Sequence, residues 1–456
     1  MYYTRPVRRP VQQLRGATLL AAVIFSGAAV SSQPAGDAVS AWQQAAQSSA
    51  IDPAIASRVE RFLGDADVRV ETRDAAGRTA LQLIAITGGG PSVAQSLIDT
   101  AAQSADRLAA WLGALPFDRL TIVDVPAHAN LAGVAYPRVA ITSSPLWTTR
   151  REFAAERALT VAIARQYALA LASGDSNDAW FAEGLASYLA TRAIHEIFEG
   201  RYFLTLRYFG GHVPHSLRAI LMSPNPLDPR PRVVDLPEVV EPRDAPWRLA
   251  HGDDLDRAHR VTIALHTLER FIGWPALQAA LRAFFESDAG ASRTLHDFVA
   301  VLSEQRGSDL TWFFEQALRA GAEFDYAVTD FISAASGDRW AVTAGVRRLG
   351  EATFDGTILP RSAGPAHSLP VIVRFADGSE VTEWIDGRDR EWRFEYSAAS
   401  PGRLASVDPN TILIGDADRA NNTRVLDAPA NPVGVRLAFN WLAWLQDAML
   451  TCTALL

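Results

Sequence analysis

Two periodicities divide this chain, and the place where one gives way to the other restricts its fold more than any single residue does. From about residue 149 to 320 the apolar residues recur at helical spacing. The clearest runs are 151–172, 179–198, 255–273, 275–287, 295–307 and 308–320, the last with Ser308 or Asp309 available as its N-cap. From Asp325 onward the pattern becomes apolar–polar alternation, in 340–349, 369–387 and 391–398. Asp377-Gly378 and Asp386-Gly387 stand where tight turns between antiparallel strands are needed. A chain built this way is α+β with its helices and its antiparallel strands segregated.

Before the helical stretch the grammar is mixed. A short helical pattern (IASRVERFL) precedes VRVET and ALQLIAI (80–86), which read as strands, and 92–115 is helical again. Residues 117–126 look like a buried strand, and 133–143 adds a second β segment in which Pro137 suits an edge position. The Pro-rich stretch 223–247 reads as an extended surface connection. In the terminal stretch 433–456, Arg436, Asn440, Asp447 and Thr451 fall on one helical face and Leu437, Trp441, Trp444 and Leu445 on the other. That amphipathic helix is expected either to dock on its own protein or to touch a membrane or partner.

Charge and cysteine content remove several classes. The 456 residues carry a net charge of −8, which gives no electrostatic footprint for nucleic acid. Every basic residue is Arg, and with so much Ala this reads as a high-GC bacterial coding sequence. Cys452 is the one cysteine, so intramolecular disulfides and Cys-based metal sites are excluded. At the N-terminus, Arg5, Arg8, Arg9 and Arg15 precede the uncharged run 16–30, with Ala29-Val30-Ser31 as a candidate cleavage site. That order predicts a signal peptide or N-terminal membrane anchor over 1–32, although the run falls short of the ~20 apolar residues of a comfortable span. Residues 33–50 read as a polar linker. The protein is therefore expected to be periplasmic, secreted or anchored to a bacterial membrane.

The chemistry-bearing stretch is AWFAEGLASYLA (179–190), a helix that would offer Glu183 to a metal. A lone carboxylate does not hold zinc, so further ligands have to come from elsewhere. Residues 105–320 resemble the catalytic domain of M1-type metallopeptidases, the gluzincin aminopeptidases. FAEGLASYLA resembles the helix that supplies that family's third zinc ligand, which puts Glu183 at the ligand position. AHRVTIALHTL (258–268) is similar to the element bearing the oxyanion-stabilising tyrosine, and GSDLTWFFEQALRAG (307–321) to the helix closing the domain. AGVAYPRVAIT (132–142) resembles the substrate-edge strand. The resemblance implies a mainly helical, thermolysin-like domain with a small mixed β part over 51–324, an antiparallel β-sandwich over 325–425 and the terminal helix over 426–456.

It also implies where the reactive groups should be, and they are missing. Aligning RALTVAIARQYALAL on the zinc-binding HExxH helix puts Val161 and Arg165 at the two histidine positions and Ala162 at the general base. The spacing to Glu183 is one residue short, but the shifted register offers only Thr160, Val161 and Ala164. Ala258 occupies the tyrosine position and Arg260 that of a family lysine. A permanently protonated guanidinium at a ligand position repels a divalent cation, so Arg165 is expected to pair with Glu183 instead.

No other constellation rebuilds a site. His195-Glu196 lacks the second histidine of HExxH, His212 and His215 flank a proline in a loop, and His266 reads as a satisfied core histidine. The run 415–422 hints at a calcium loop but lacks the spacing and closing Glu of an EF-hand, which leaves a solvated turn. His251, Asp253 and Asp254 read as the cap of the following helix. There is no serine elbow, Walker A or Rossmann fingerprint. The expectation is a catalytically inactive, M1-peptidase-like envelope protein that binds a peptide or protein and needs no cofactor. The competing expectation is an active zinc (amino)peptidase with non-standard ligands.

Overall fold

The computed structural model describes residues 35–426, apart from 198–253, 355–368 and shorter breaks at 66–67, 77–78, 87–90, 127–128, 130, 132–133, 145–153, 172–178, 288–292 and 320–321, together with Trp441, Leu442, Leu445 and Met449. The N-terminal Arg-rich and apolar segment, His212, His215, the Pro-rich connection, His251, Asp253 and most of the terminal helix lie outside the described residues.

The chain is α+β with three small sheets. The first sheet has five strands in the order β1 (Arg69–Ala75), β2 (Thr79–Ala85), β3 (Arg119–Pro126), β5 (Val139–Ser144) and β4 (Val134–Tyr136). β2, β3 and β5 run parallel, and β1 and β4 pair antiparallel at the two edges. The parallel β2–β3 step needs a crossover, which α3 (Pro91–Leu112) supplies.

Both faces of this sheet are covered, which explains why its strands read as nearly continuous apolar runs. On one face Leu81, Leu83, Leu120 and Ile122 join the core made with α3 and α4 (Ala154–Leu171). On the other, Val70, Ile84, Val123 and Ile141 pack against α1 (Ala35–Ser48) and α2 (Pro53–Asp65). The expected linker over 33–50 is thus largely a helix. Its outward face is Gln- and Ser-rich, but Ala38, Trp42 and Ala45 form a stripe at helical spacing, and Trp42 is completely buried. The Trp42 indole N–H donates to the Ala56 carbonyl at 3.4 Å, tying α1 to α2.

The helical layer is centred on α5 (Ala179–Ile197), which packs against α4 on one side and α6 (Asp254–Ile272) on the other. Thirteen of its side chains are buried, so it is apolar nearly all round. Beyond it lie α7 (Trp274–Glu286), α8 (Leu295–Arg306) and α9 (Thr311–Ala317). Phe181 of α5, Phe284 of α7 and Phe298 of α8 meet in edge-to-face or tilted contacts, with centroids 5.3–6.2 Å apart. α8 starts with a capping box between Thr294 and Asp297. The last helix is shorter than expected: it starts after Leu310, and Asp309 accepts from the Thr311 amide at 2.9 Å.

Strand alternation begins at Tyr326. One antiparallel sheet has the order β10 (Glu391–Ala398), β7 (Arg339–Arg348), β6 (Tyr326–Ser336), and the other β12 (Thr423–Val425), β11 (Gly402–Val407), β8 (Leu369–Phe375), β9 (Glu380–Ile385). Phe331, Val342, Ala344, Val371, Val373 and Ala405 fill the core of these sheets. The β8–β9 turn uses Gly378 at φ 86°, a conformation in which a Cβ is strained.

The 415–422 run is a turn in which Asp416 and Asn422 are buried rather than solvated. Asp416 is 2% exposed and accepts hydrogen bonds from the Tyr326 and Asp418 amides and the Asn422 side chain. A bridge between Phe324 and Asp416 stitches this loop to the end of the helical layer. Burying it is feasible because those donors satisfy the carboxylate.

Candidate functional site

The residues singled out by the sequence lie on α4, α5 and α6, with α5 packed against each of the other two. Arg165 of α4 and Glu183 of α5 are each 5% exposed and face one another. Arg165 Nη2 donates to Glu183 Oε1 at 2.5 Å, and Nε donates to the same oxygen at 3.2 Å. Both bonds fall on one carboxylate oxygen. Glu183 Oε2 is buried with no hydrogen-bond partner among the described residues. The pair is therefore charge-compensated but incompletely hydrogen-bonded.

One turn before Arg165, Val161 is partly buried against the core, and Ala162 is fully buried. Ala258 of α6 is 4% exposed and lies against Gly184. A Cβ on Gly184 would fall 2.5 Å from the Ala258 carbonyl oxygen and 2.5 Å from Val261 Cβ, so only glycine allows this crossing. The Thr262 hydroxyl, 3.1 Å from both the Gly184 and Ala258 carbonyls, sits across the same contact.

This arrangement does not fit a zinc ion. The one carboxylate is committed to a guanidinium that cannot deprotonate, and the flanking Val161 and Ala162 offer no donor. Among the described residues, no group of three or more His, Cys, Asp or Glu side chains is placed to hold a metal.

Sequence reasoning missed Gln166, which is fully buried beside Arg165. Its Oε1 accepts from the Arg138 amide at 2.9 Å, and its Nε2 donates to the Tyr136 and Val139 carbonyls at 3.1 and 3.2 Å. One side chain thus fixes the β4–β5 hairpin, whose turn residue Arg138 has φ 68°, onto α4. The available signal was a long amide inside an otherwise apolar helix.

A second polar cluster lies further along α5. The Tyr188 hydroxyl donates to Glu269 at 2.7 Å, and Arg192 bonds both Glu269 and Glu196 while stacking 3.5 Å over Trp274. Glu196 also meets Arg107, so Glu196 belongs to a salt-bridge network. His266 lies edge-on to Tyr188 at 4.6 Å. Burial, reinforced by Arg270 and Arg192, pushes its pKa down to about 3, so it is a neutral imidazole. Among the described residues its Nε2 is buried without a partner, which corrects the expectation of a satisfied core histidine. It contributes as an aromatic ring.

No family model matches the chain, and no curated protein matches its sequence. Among solved structures it is similar to aminopeptidase A of Legionella pneumophila, crystallised in complex with aspartic acid. The identity is 15% and the TM-score 0.44, over 76% of this chain and 38% of that one. The chain thus spans well under half the length of that structure, and a likeness of this degree leaves the function to the site itself.

Proposed function

We propose that this chain is a catalytically inactive relative of the M1-type gluzincin aminopeptidases, acting in the bacterial envelope as a peptide- or protein-binding module. The observation that carries this reading is the buried Arg165–Glu183 pair, lying where the family resemblance places a zinc ligand and flanked by Val161 and Ala162. Hydrolysis of a peptide bond by that family's route needs a polarising metal and a base, and these positions supply a fixed cation and aliphatic side chains. The fold would be kept for its surfaces. Envelope location rests on the Arg-rich, then apolar, N-terminal order in the sequence. Leu442, Leu445 and Met449, exposed and spaced at helical intervals, support membrane contact by the terminal helix.

Metal analysis of the purified chain tests the reading together with one designed variant. The wild type should carry no stoichiometric zinc, and Val161→His/Ala162→Glu/Arg165→His should gain zinc affinity. Stoichiometric zinc in the wild type, lost together with peptidase activity on Glu183→Ala, would overturn the proposal. A folded triple variant that ignores zinc would refute the helix register.

A further inference from the structure

α6 has two working faces. Ala258, Val261, Thr262 and Leu265 turn toward the helical core, whereas Asp256, Arg260, Ile263 and Thr267, at i, i+4, i+7 and i+11, line a recess on another side. The opposite wall is Ala322–Phe324 and the Gly415–Ala417 loop, held together by the Ala417 amide donating to the Phe324 carbonyl at 2.8 Å. Gly415 matters to the shape: a Cβ there would sit 3.1 Å from Ile263 Cγ2 and press the loop off the floor. The cavity holds about 230 Å³, below the ~300–1,000 Å³ of sites for drug-sized ligands.

Its floor is apolar, with Ile263 and Phe324 7% and 6% exposed, and its rim carries both signs of charge: Arg260 against Asp256 and Glu323. Asp256 and Arg260 stand at the helical spacing and order that favours an ion pair. Elsewhere on the surface exposed charges do pair, as in Arg282–Glu286 along α7 and Arg374–Glu380 across β8 and β9. Among the described residues, though, neither Arg260 nor Asp256 nor Glu323 belongs to an ion pair, and Arg260 instead reaches the Ala322 carbonyl at 3.4 Å. A small recess with an apolar base and unpaired charges of both signs at its mouth is complementary to a small molecule of the same pattern.

We propose that this recess binds a free α-amino acid with an aliphatic side chain. Arg260 would take its carboxylate in charge-assisted hydrogen bonds, Asp256 and Glu323 its ammonium, and Ile263 and Phe324 its side chain. The inference goes beyond the reading of the α4–α5 site and does not depend on it, since zinc content does not affect the measurement.

The test is thermal shift and calorimetry on the full chain with L-leucine, leucinamide (no carboxylate) and 4-methylpentanoate (no ammonium). Leucine at millimolar concentration should raise Tm, and each truncated analogue should bind about tenfold more weakly or worse. Arg260→Gln should weaken leucine to the level of leucinamide and leave leucinamide unchanged. Ala417→Trp, at the mouth, should abolish binding of all three. No shift with leucine up to about 10 mM, or equal binding of the three probes to the wild type, overturns the proposal even if neither variant folds.

Discussion

Replacing Arg165 and Glu183 singly and together should show opposite signs, and the orphaned Glu183 oxygen is the reason. Their side chains are 6% and 7% exposed, so neither charge is screened by water when its partner is lost. Arg165→Met would leave a buried carboxylate without the guanidinium that compensates it, which costs about 3–5 kcal/mol. Glu183→Leu strands the guanidinium and should cost a similar amount. In the double variant both desolvation penalties vanish, together with the roughly 1–3 kcal/mol penalty of the unpartnered Oε2. Two apolar side chains of similar volume then pack into the same space, so Arg165→Met/Glu183→Leu should be neutral or more stable than the wild type, by up to about 4 kcal/mol. The cycle would give a coupling energy of several kcal/mol, above the ~0.5–3 kcal/mol usual for contacting residues. Denaturant unfolding of the four proteins followed by far-UV circular dichroism measures it. If Arg165→Met costs under about 1 kcal/mol, or if the double variant loses as much as the two single variants summed, the two residues are not the buried, mutually compensating pair described above.

Gly184→Ala should cost about 2–3 kcal/mol despite alanine's better helix propensity, because its methyl would fall 2.5 Å from the Ala258 carbonyl; a neutral result in chemical denaturation would disprove the close crossing. Arg192→Lys should already destabilise by about 1–2 kcal/mol, since lysine keeps the charge but loses the planar stack on Trp274 and the fork between Glu269 and Glu196; full retention of stability would assign the site to charge alone. Burial pushes the pKa of Asp416 up to about 7 and of Asp408 up to about 6, both above the ordinary carboxylate range of the unfolded chain. The native state then holds protons that the unfolded state has released. Their contribution to stability should therefore be full below about pH 4 and fall as pH rises toward 7, by at most roughly 4 kcal/mol for Asp416 and about 3 kcal/mol for Asp408. Asp416→Asn should flatten that slope in unfolding measured from pH 5 to 8, and an unchanged slope would remove Asp416 as its source.

Much of the fold was legible because it is written in periodicity. The α4 and α5 runs, β1 to β3 and the β8–β9 turn at Gly378 each satisfy a local rule that needs no partner to be recognised. By contrast, 133–143, which reads as one segment, is a hairpin turning at Pro137-Arg138, and Asp386-Gly387 joins strands of different sheets. α1 escaped because its apolar stripe is narrow and partly alanine, so three inward residues were outweighed by its polar outer face. The Asp416 loop escaped for the opposite reason: its residues are polar, and only the tertiary structure supplies the amides that make burying them affordable. Gln166 belongs to the same class, since three of its four partners lie on a hairpin nearly thirty residues away. The β1-β2-β3-β5-β4 order was likewise out of reach, because each strand's pattern states which faces are buried and not which strand lies next to it.

The same reasoning separates the two messages carried by residues 179–190. Gly184 is required by the backbone approach of α6, Tyr188 by its bond to Glu269, and Leu185, Ala186 and Leu189 by burial on every side. None of these requirements involves a metal. A helix held in this crossing keeps its GLASYL face whatever stands opposite Glu183, so packing alone accounts for the stretch that most resembles a zinc-binding helix. What stands opposite is decided on α4, and there the residue is Arg165. A carboxylate buried at this crossing needs a compensating positive charge. A metal ion and a guanidinium are alternative ways to provide it, and they exclude one another by charge and by volume. The chemistry of the pair therefore turns on Arg165, rather than on the stretch around Glu183.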